Sequence, residues 1–282
     1  MAALLRAMRT RAAVSFRNTE PLRRTSVPSH FFFSHTRPTV RQSPSSELFH
    51  RIRAFNSGRY GGYGGAHGDH EQRNMLVIYG LIGVNLAVFG YGMYAKVQMG
   101  QGYSKPFVEF IRNFTLNVHT AIGEKRWWTI ITSNYAHLDF FHLLGNMISV
   151  YAFGSCLAAI RGFPPGKLLG VAVGSGLSGS LFWMVNRAMN MQGQPDHQRA
   201  LGFSGVVMGL GTLAACITPR TVFQLYGIVP VPLWALIGGY AVYDGYYLNS
   251  ANTRVGHGGH LGGMIFGAAY YLVAIRSRMM RF

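Results

Sequence analysis

The stretch LGFSGVVMG, residues 201–209, lies in an apolar run with no charge between Arg199 and Arg220. A run of this kind reads as a helix embedded in a membrane. Ser204 sits in it with Gly202 two residues before and Gly205 directly after. A hydroxyl in hydrocarbon can bond back to its own helix. Glycines on both sides are harder to dismiss, because they strip away side chains and leave the oxygen and nearby backbone open to a close approach. Two things then matter: which helices surround this one, and which residue meets the serine.

Composition supports the membrane reading. The chain of 282 residues is 49% hydrophobic and only 12% charged, well below the quarter usual in soluble proteins. Apolar segments occur at 75–95, 140–160, 168–187, 200–218, 222–245 and 258–276. Each approaches the roughly 20 residues that span a bilayer as a helix, so six spans are expected. Pro230 and Pro232 should kink or break the fifth. Residues 96–137 form a long insertion, too amphipathic to cross, whose Trp127, Trp128 and apolar positions near 107–122 suit a loop lying in the interface.

Charge is concentrated at the N-terminus. The net charge is +17, and residues 1–60 hold 11 Arg, no Lys and two acids, Glu20 and Glu47. Arg-rich, Ser-rich and acid-poor sequence is the signature of an organellar transit peptide, placed at 1–57. A basic tail that binds nucleic acid or anionic lipid is the competing reading; no nucleic-acid partner is expected. The Arg content points to the mitochondrion, with the plastid as the alternative. Residues 58–74 read as a Gly-rich linker, and 75–282 as the membrane domain. Positive charge divides almost evenly between the two sets of loops, so the positive-inside rule does not choose an orientation. Cys156 and Cys216 lie in apolar runs without metal-ligand spacing, so neither a disulfide framework nor a zinc site is indicated, and no metal or cofactor is expected.

Polar residues inside membrane spans are costly and are functional candidates. HLDFFHLLGN (137–146) opens the second segment with His137, His142 and Asn146; VGHGGHLGGMIFG (255–267) opens the sixth with His257 and His260. In an up-and-down bundle the even-numbered spans begin on the same side, so His142, Ser204 and His260 fall at similar depth and read as one site. Gly205 and Gly209 form a small-residue face below Ser204, and Gly259, Gly263 and Gly267 form another past His260. Packing of these faces would bring serine and histidine within hydrogen-bonding reach.

A serine becomes a nucleophile at neutral pH when a base takes its proton, and His260 is the candidate base. The acids beyond residue 71 are Glu109, Glu124, Asp139, Asp196 and Asp244. None has a spacing that commits it to His260, so the site reads as a Ser–His dyad. His142 and Asn146, four apart on one helix face, can donate hydrogen bonds. With the Ser204 amide they would form an oxyanion hole. Hydrogen bonding that merely holds helices together is the competing reading of that pair.

HxxxN at His142–Asn146, GxSG at Gly202–Gly205 and HxxG at His260–Gly263, in this order, resemble the motifs of the rhomboid intramembrane serine proteases. The resemblance covers roughly 75–276 and is nearest to the six-span mitochondrial rhomboids of plants. It implies an all-α polytopic membrane protein, a six-helix rhomboid bundle with an interfacial loop between spans 1 and 2. Ser204 would be nucleophile and His260 base, with His142, Asn146 and the Ser204 amide stabilising the oxyanion. His137 would be a structural histidine orienting the loop, and His257 an entrance or packing residue. Substrates would be single-span membrane proteins, cut in the bilayer of the mitochondrial inner membrane, with the bent fifth span as a moving gate. Three departures stand out: Trp128 is followed by Thr129 where many rhomboids carry Trp-Arg, Met208 replaces an aromatic that often stacks on the catalytic histidine, and six spans are expected where fungal and animal mitochondrial rhomboids usually have an extra N-terminal one. The rival functions are a catalytically silent rhomboid-fold binder of membrane proteins and a transporter using the histidines as a proton relay.

Overall fold

The computed structural model describes residues 67–190, 198–225, 228–250 and 255–276, all within the unit Gly62–Phe282. The transit peptide at 1–57 and the linker up to residue 66 lie outside the described residues.

Helix α1 runs from His67 to Gly100. It begins inside the stretch read as linker, so the Gly-rich segment ends about two turns earlier than residue 74. The insertion holds α2 (Lys105–Phe114), a π-turn at His119–Gly123, the short α3 (Thr129–Thr132) and a 3-10 turn at Ser133–Tyr135. Four hydrophobic helices follow as α4 (Phe140–Ala158), α5 (Pro165–Asn190), α6 (Ser204–Ile217) and, after a hairpin, α7 (Leu233–Tyr246). Helix α8 (His257–Tyr270) continues as π-turns to Arg276.

The fold is a helical membrane bundle; among the described residues four helices are long and apolar enough to cross, those in Asp69–Gly100, Phe140–Ala158, Pro165–Asn190 and His257–Arg276, with α6 and α7 as shorter apolar helices. Helices α6 and α7 have 14 residues each, about 21 Å at 1.5 Å per residue against about 30 Å of hydrocarbon. The fifth apolar segment is broken rather than kinked. Val222–Leu225 (β1) pairs antiparallel with Val229–Pro232 (β2), and α7 starts only at Leu233. Both prolines fall in β2, where the missing N–H removes a helical bond but is tolerated at a sheet edge.

Helix α6 is the axis of the bundle, with every residue from Gly205 to Ala214 buried. Glycines decide what surrounds it. A Cβ at Gly263 would press on the Gly205 carbonyl, one at Gly267 on the Gly209 carbonyl, and one at Gly179 of α5 would lie 2.7 Å from the Gly259 oxygen. Helices α5, α6 and α8 therefore meet backbone to backbone along the small-residue faces. On the other flank Ile78 of α1 fills the space left by Gly154 of α4. Asn74 donates to the Phe163 carbonyl at 2.8 Å, tying α1 to the α4–α5 turn.

The insertion is an ordered platform. Phe110 of α2 is fully buried over Gly92 of α1 and stacks on Phe114. Tyr103, Val108, Ile122 and Trp127 are exposed, as suits side chains at the headgroup level. Its tip is held without Trp-Arg: Arg126 and Trp128 both donate to Asn113 Oδ1, at 3.1 and 3.3 Å, and Glu124 bridges Arg112 and Arg126. The Glu124 carboxyl is held below its usual range, chiefly by the hydrogen bond from Arg112.

Candidate active site

Asp139 opens α4. In extended backbone conformation, its carboxylate accepts the His142 amide at 2.8 Å, which caps the helix. The cap fixes His142 and Asn146 on the face that looks toward α6. Across from them, Gly202 adopts φ +120°, a backbone region that only glycine occupies without strain. A Cβ there would lie 2.7 Å from Cε1 of His142. The glycine before the serine thus does two jobs, turning the chain and admitting the histidine ring. Its amide is held by the Ser133 carbonyl at 2.9 Å.

The chain leading into α6 is clamped to the insertion. Leu116 and Ala200 exchange both backbone hydrogen bonds at 2.8 Å, and Arg199 donates to Thr115 Oγ1 at 3.1 Å. Helix α6 then starts at Ser204 with no side-chain cap. Its first N–H groups have no intrahelical acceptor, and together with the helix dipole they favour negative charge at that end.

Ser204 Oγ lies 2.8 Å from Nε2 of His260 on α8. Behind the imidazole, Asp244 in the last turn of α7 contacts His260 Nδ1 with both oxygens, at 3.0 and 3.1 Å. Asp244 is fully buried. Sequence spacing commits no acid to His260; in the fold Asp244 is the carboxylate in contact with its Nδ1. One signal pointed to it: Asp244 is the only acid inside any of the six apolar segments. The same carboxylate contacts His257 Nδ1 at 2.6 Å. His257 is itself buried and stacks on Tyr247, so it belongs to the packed interior rather than to the entrance.

His137 is buried, and its Nε2 accepts from Asn146 Nδ2 at 2.9 Å and from the Phe203 amide at 3.3 Å. Two donors on one ring nitrogen define the neutral tautomer with its proton on Nδ1. His137 therefore holds Asn146 and the turn before Ser204. Asn146 keeps a second amide hydrogen, and it lines the same cavity as His142, Ser204 and His260. That cavity has a volume of about 1130 Å³ and extends to Ser149 of α4 and Tyr240 of α7.

A hydroxyl against an imidazole, a carboxylate behind it and N–H donors in front can perform nucleophilic acyl transfer. Comparison with known proteins agrees with the fold. Residues 124–277 match the Rhomboid domain family model. The chain is 30% identical over 217 residues to the mitochondrial RHOMBOID-like protein 12 of Arabidopsis thaliana, covering 73% of this chain and 60% of that protein. It is 27% identical over 201 residues to the mitochondrial Rhomboid protein 1 of Saccharomyces cerevisiae, covering 69% and 52%. To the chloroplastic Rhomboid-like protein 16 of Arabidopsis thaliana it is 28% identical over 170 residues, covering 56% and 49%. The chain spans about half to three fifths of the length of these relatives. With helices that cross the membrane and a family match over residues 124–277, the chain belongs to the rhomboid family.

Proposed function

We propose that this chain is an intramembrane serine endopeptidase in which Ser204, His260 and Asp244 act together. Rhomboid membership supports a protease-type function in general terms. The observation that carries the specific reading is the 2.8 Å contact between Ser204 Oγ and His260 Nε2, with Asp244 on the opposite ring nitrogen.

His260 Nε2 takes the Ser204 proton as Oγ attacks the scissile carbonyl. Asp244 holds the Nδ1–H tautomer and stabilises the imidazolium. The oxyanion forms beside the Ser204 amide at the positive end of α6, with Asn146 and His142 donating. His260 then protonates the leaving amine, and water admitted through the cavity hydrolyses the acyl-enzyme by the same proton path in reverse.

The substrate is a single-span membrane protein whose helix unwinds near its end, since the carbonyls of an intact helix in lipid are engaged. Access runs between α4 and α7. A Cβ added at Gly145 of α4, or at Gly238 or Gly239 of α7, meets nothing within 4 Å among the described residues, and α7 rests on α6 and α8. The hairpin preceding α7, rather than a proline kink, is where α7 would hinge. The Arg-rich leader and the mitochondrial relatives support residence in the mitochondrial inner membrane; a plastid membrane is the alternative.

The test is cleavage of a fluorogenic single-span peptide in proteoliposomes by wild type, Ser204→Ala and His260→Ala, with phosphonate labelling of Ser204. Activity and labelling in the wild type and their loss in the variants support the protease. No cleavage together with no labelling by the wild type replaces it with a silent rhomboid-fold binder.

A further inference from the structure

Asp244 touches two histidines, and proteolysis needs only one of them. His257 and His260 are three residues apart on α8, hence on one face, and the carboxylate reaches them from the last turn of α7. One donor atom from each of the three residues lies within 4.8 Å of the others. Asp244 and His257 are almost completely buried, while His260 borders the cavity. Two imidazoles and a carboxylate suit Zn2+ and neighbouring first-row ions. A tetrahedral ion at about 2.0–2.1 Å from each donor keeps them about 3.4 Å apart. The pairs now at 2.6–3.1 Å thus separate by less than about 1 Å.

We infer that Asp244, His257 and His260 form a binding site for a divalent ion of the zinc class, and that its occupation stops His260 from acting as a base. In the metal-free site His260 Nδ1–H donates to Asp244, and Nε2 accepts from Ser204. The ion takes the Nδ1 lone pair, and the ring proton moves to Nε2, so no proton is gained or lost at the ring. Nε2–H then points at the Ser204 hydroxyl and cannot receive its proton. His257 undergoes the same tautomer change, Asp244 gives one oxygen, and a water would complete a four-coordinate shell. Ion binding depends only on these side chains; the loss of cleavage rests on the proteolytic function proposed above.

Binding is tested on full-length Ser204→Ala protein in nanodiscs, where cleavage plays no part. Titration with Co2+ is expected to give the visible ligand-field bands of a tetrahedral site, displaced by Zn2+ and lost when His257→Gln is added. Absent bands, or bands that survive His257→Gln, overturn the site. X-ray absorption of the Zn2+-loaded Ser204→Ala protein avoids dependence on the second substitution: two imidazoles and oxygen are expected, and fewer than two imidazoles overturn the assignment. For the switch, wild-type cleavage should fall at least tenfold at Zn2+ concentrations that saturate Ser204→Ala, and return on chelation. His257→Gln, compared with its own metal-free rate, should need at least tenfold more Zn2+. Undiminished wild-type cleavage at saturation overturns the block on His260. A wild type inactive without any metal counts against the protease itself and leaves the binding result standing.

Discussion

Asp244 Oδ1 lies 3.0 Å from Nδ1 of His260, on the side of the imidazole away from the Ser204 hydroxyl. The carboxylate comes from α7 and the imidazole from α8, so the contact also fixes how these two helices meet. A buried carboxylate needs such partners, since an unpaired charge in this interior is costly.

Replacing that carboxylate by an amide separates orientation from packing. Asp244→Asn keeps the shape but favours the wrong ring tautomer, and kcat is expected to fall by up to about 10⁴-fold with little change in KM. Initial rates on a single-span substrate in proteoliposomes measure this. A decrease of less than about twofold would mean that Ser204 and His260 work without it.

Asn146→Ala removes one donor from the proposed oxyanion site and one of the two partners of His137 Nε2. The expected loss is about 10²–10³-fold in kcat, together with a lower unfolding temperature. A stability change with full activity would make Asn146 a purely structural residue.

Gly202→Ala places a Cβ against the His142 ring in a backbone conformation with φ +120°. Strain of about 1–3 kcal/mol is expected in equilibrium unfolding, and cleavage should fall because the turn into Ser204 shifts. Wild-type stability in this variant would show that the loop relaxes freely.

Gly263→Val tests the close contact between α6 and α8. Its side chain would meet the Gly205 carbonyl rather than a movable side chain, so destabilisation of about 1–3 kcal/mol or more is expected. Steric-trapping measurements in bicelles read the stability. Spin labels on the two helices read whether they separate.

The loop clasp predicts a pH effect of defined sign. The Glu124 carboxyl is held below its ordinary value of 4.5, chiefly by the hydrogen bond from Arg112. A depressed carboxylate contributes ordering that is complete above the unfolded value and is lost as pH falls through the lower folded one. Hydrogen exchange across 105–128, taken relative to the intrinsic amide rate at each pH, should therefore quicken below about pH 4.5 in the wild type. In Glu124→Gln it should already be fast at neutral pH. Salt should weaken the effect, because the pair is exposed.

Much of the site was legible because its residues break the local rule of an apolar span. Ser204, His142 and His260 are polar groups at the starts of apolar segments, and helix parity placed them at one depth. Asp244 shows where such reading stops. It lies 16 residues before His260 across a turn, and sequence spacing says nothing about the register between two helices joined that way. The fifth segment misled for another reason: mean hydropathy cannot tell VFQL and VPVP in a hairpin from a turn of helix, since the same apolar side chains occur in both. His137 was found as a motif residue, but its two donors come from different elements, which only the folded chain brings together.

Helix α6 touches neighbouring protein from Gly205 to Ala214 and falls about 9 Å short of a full crossing. It has almost no lipid-facing surface, so it gains little by partitioning into the bilayer during synthesis. Its place in the membrane is secured only when α8 emerges and closes over Gly205 and Gly209. Biogenesis is thereby ordered: Ser204 enters its final surroundings only after α8 is made, and a chain arrested before residue 257 leaves the Gly205–Gly209 face of α6 uncovered.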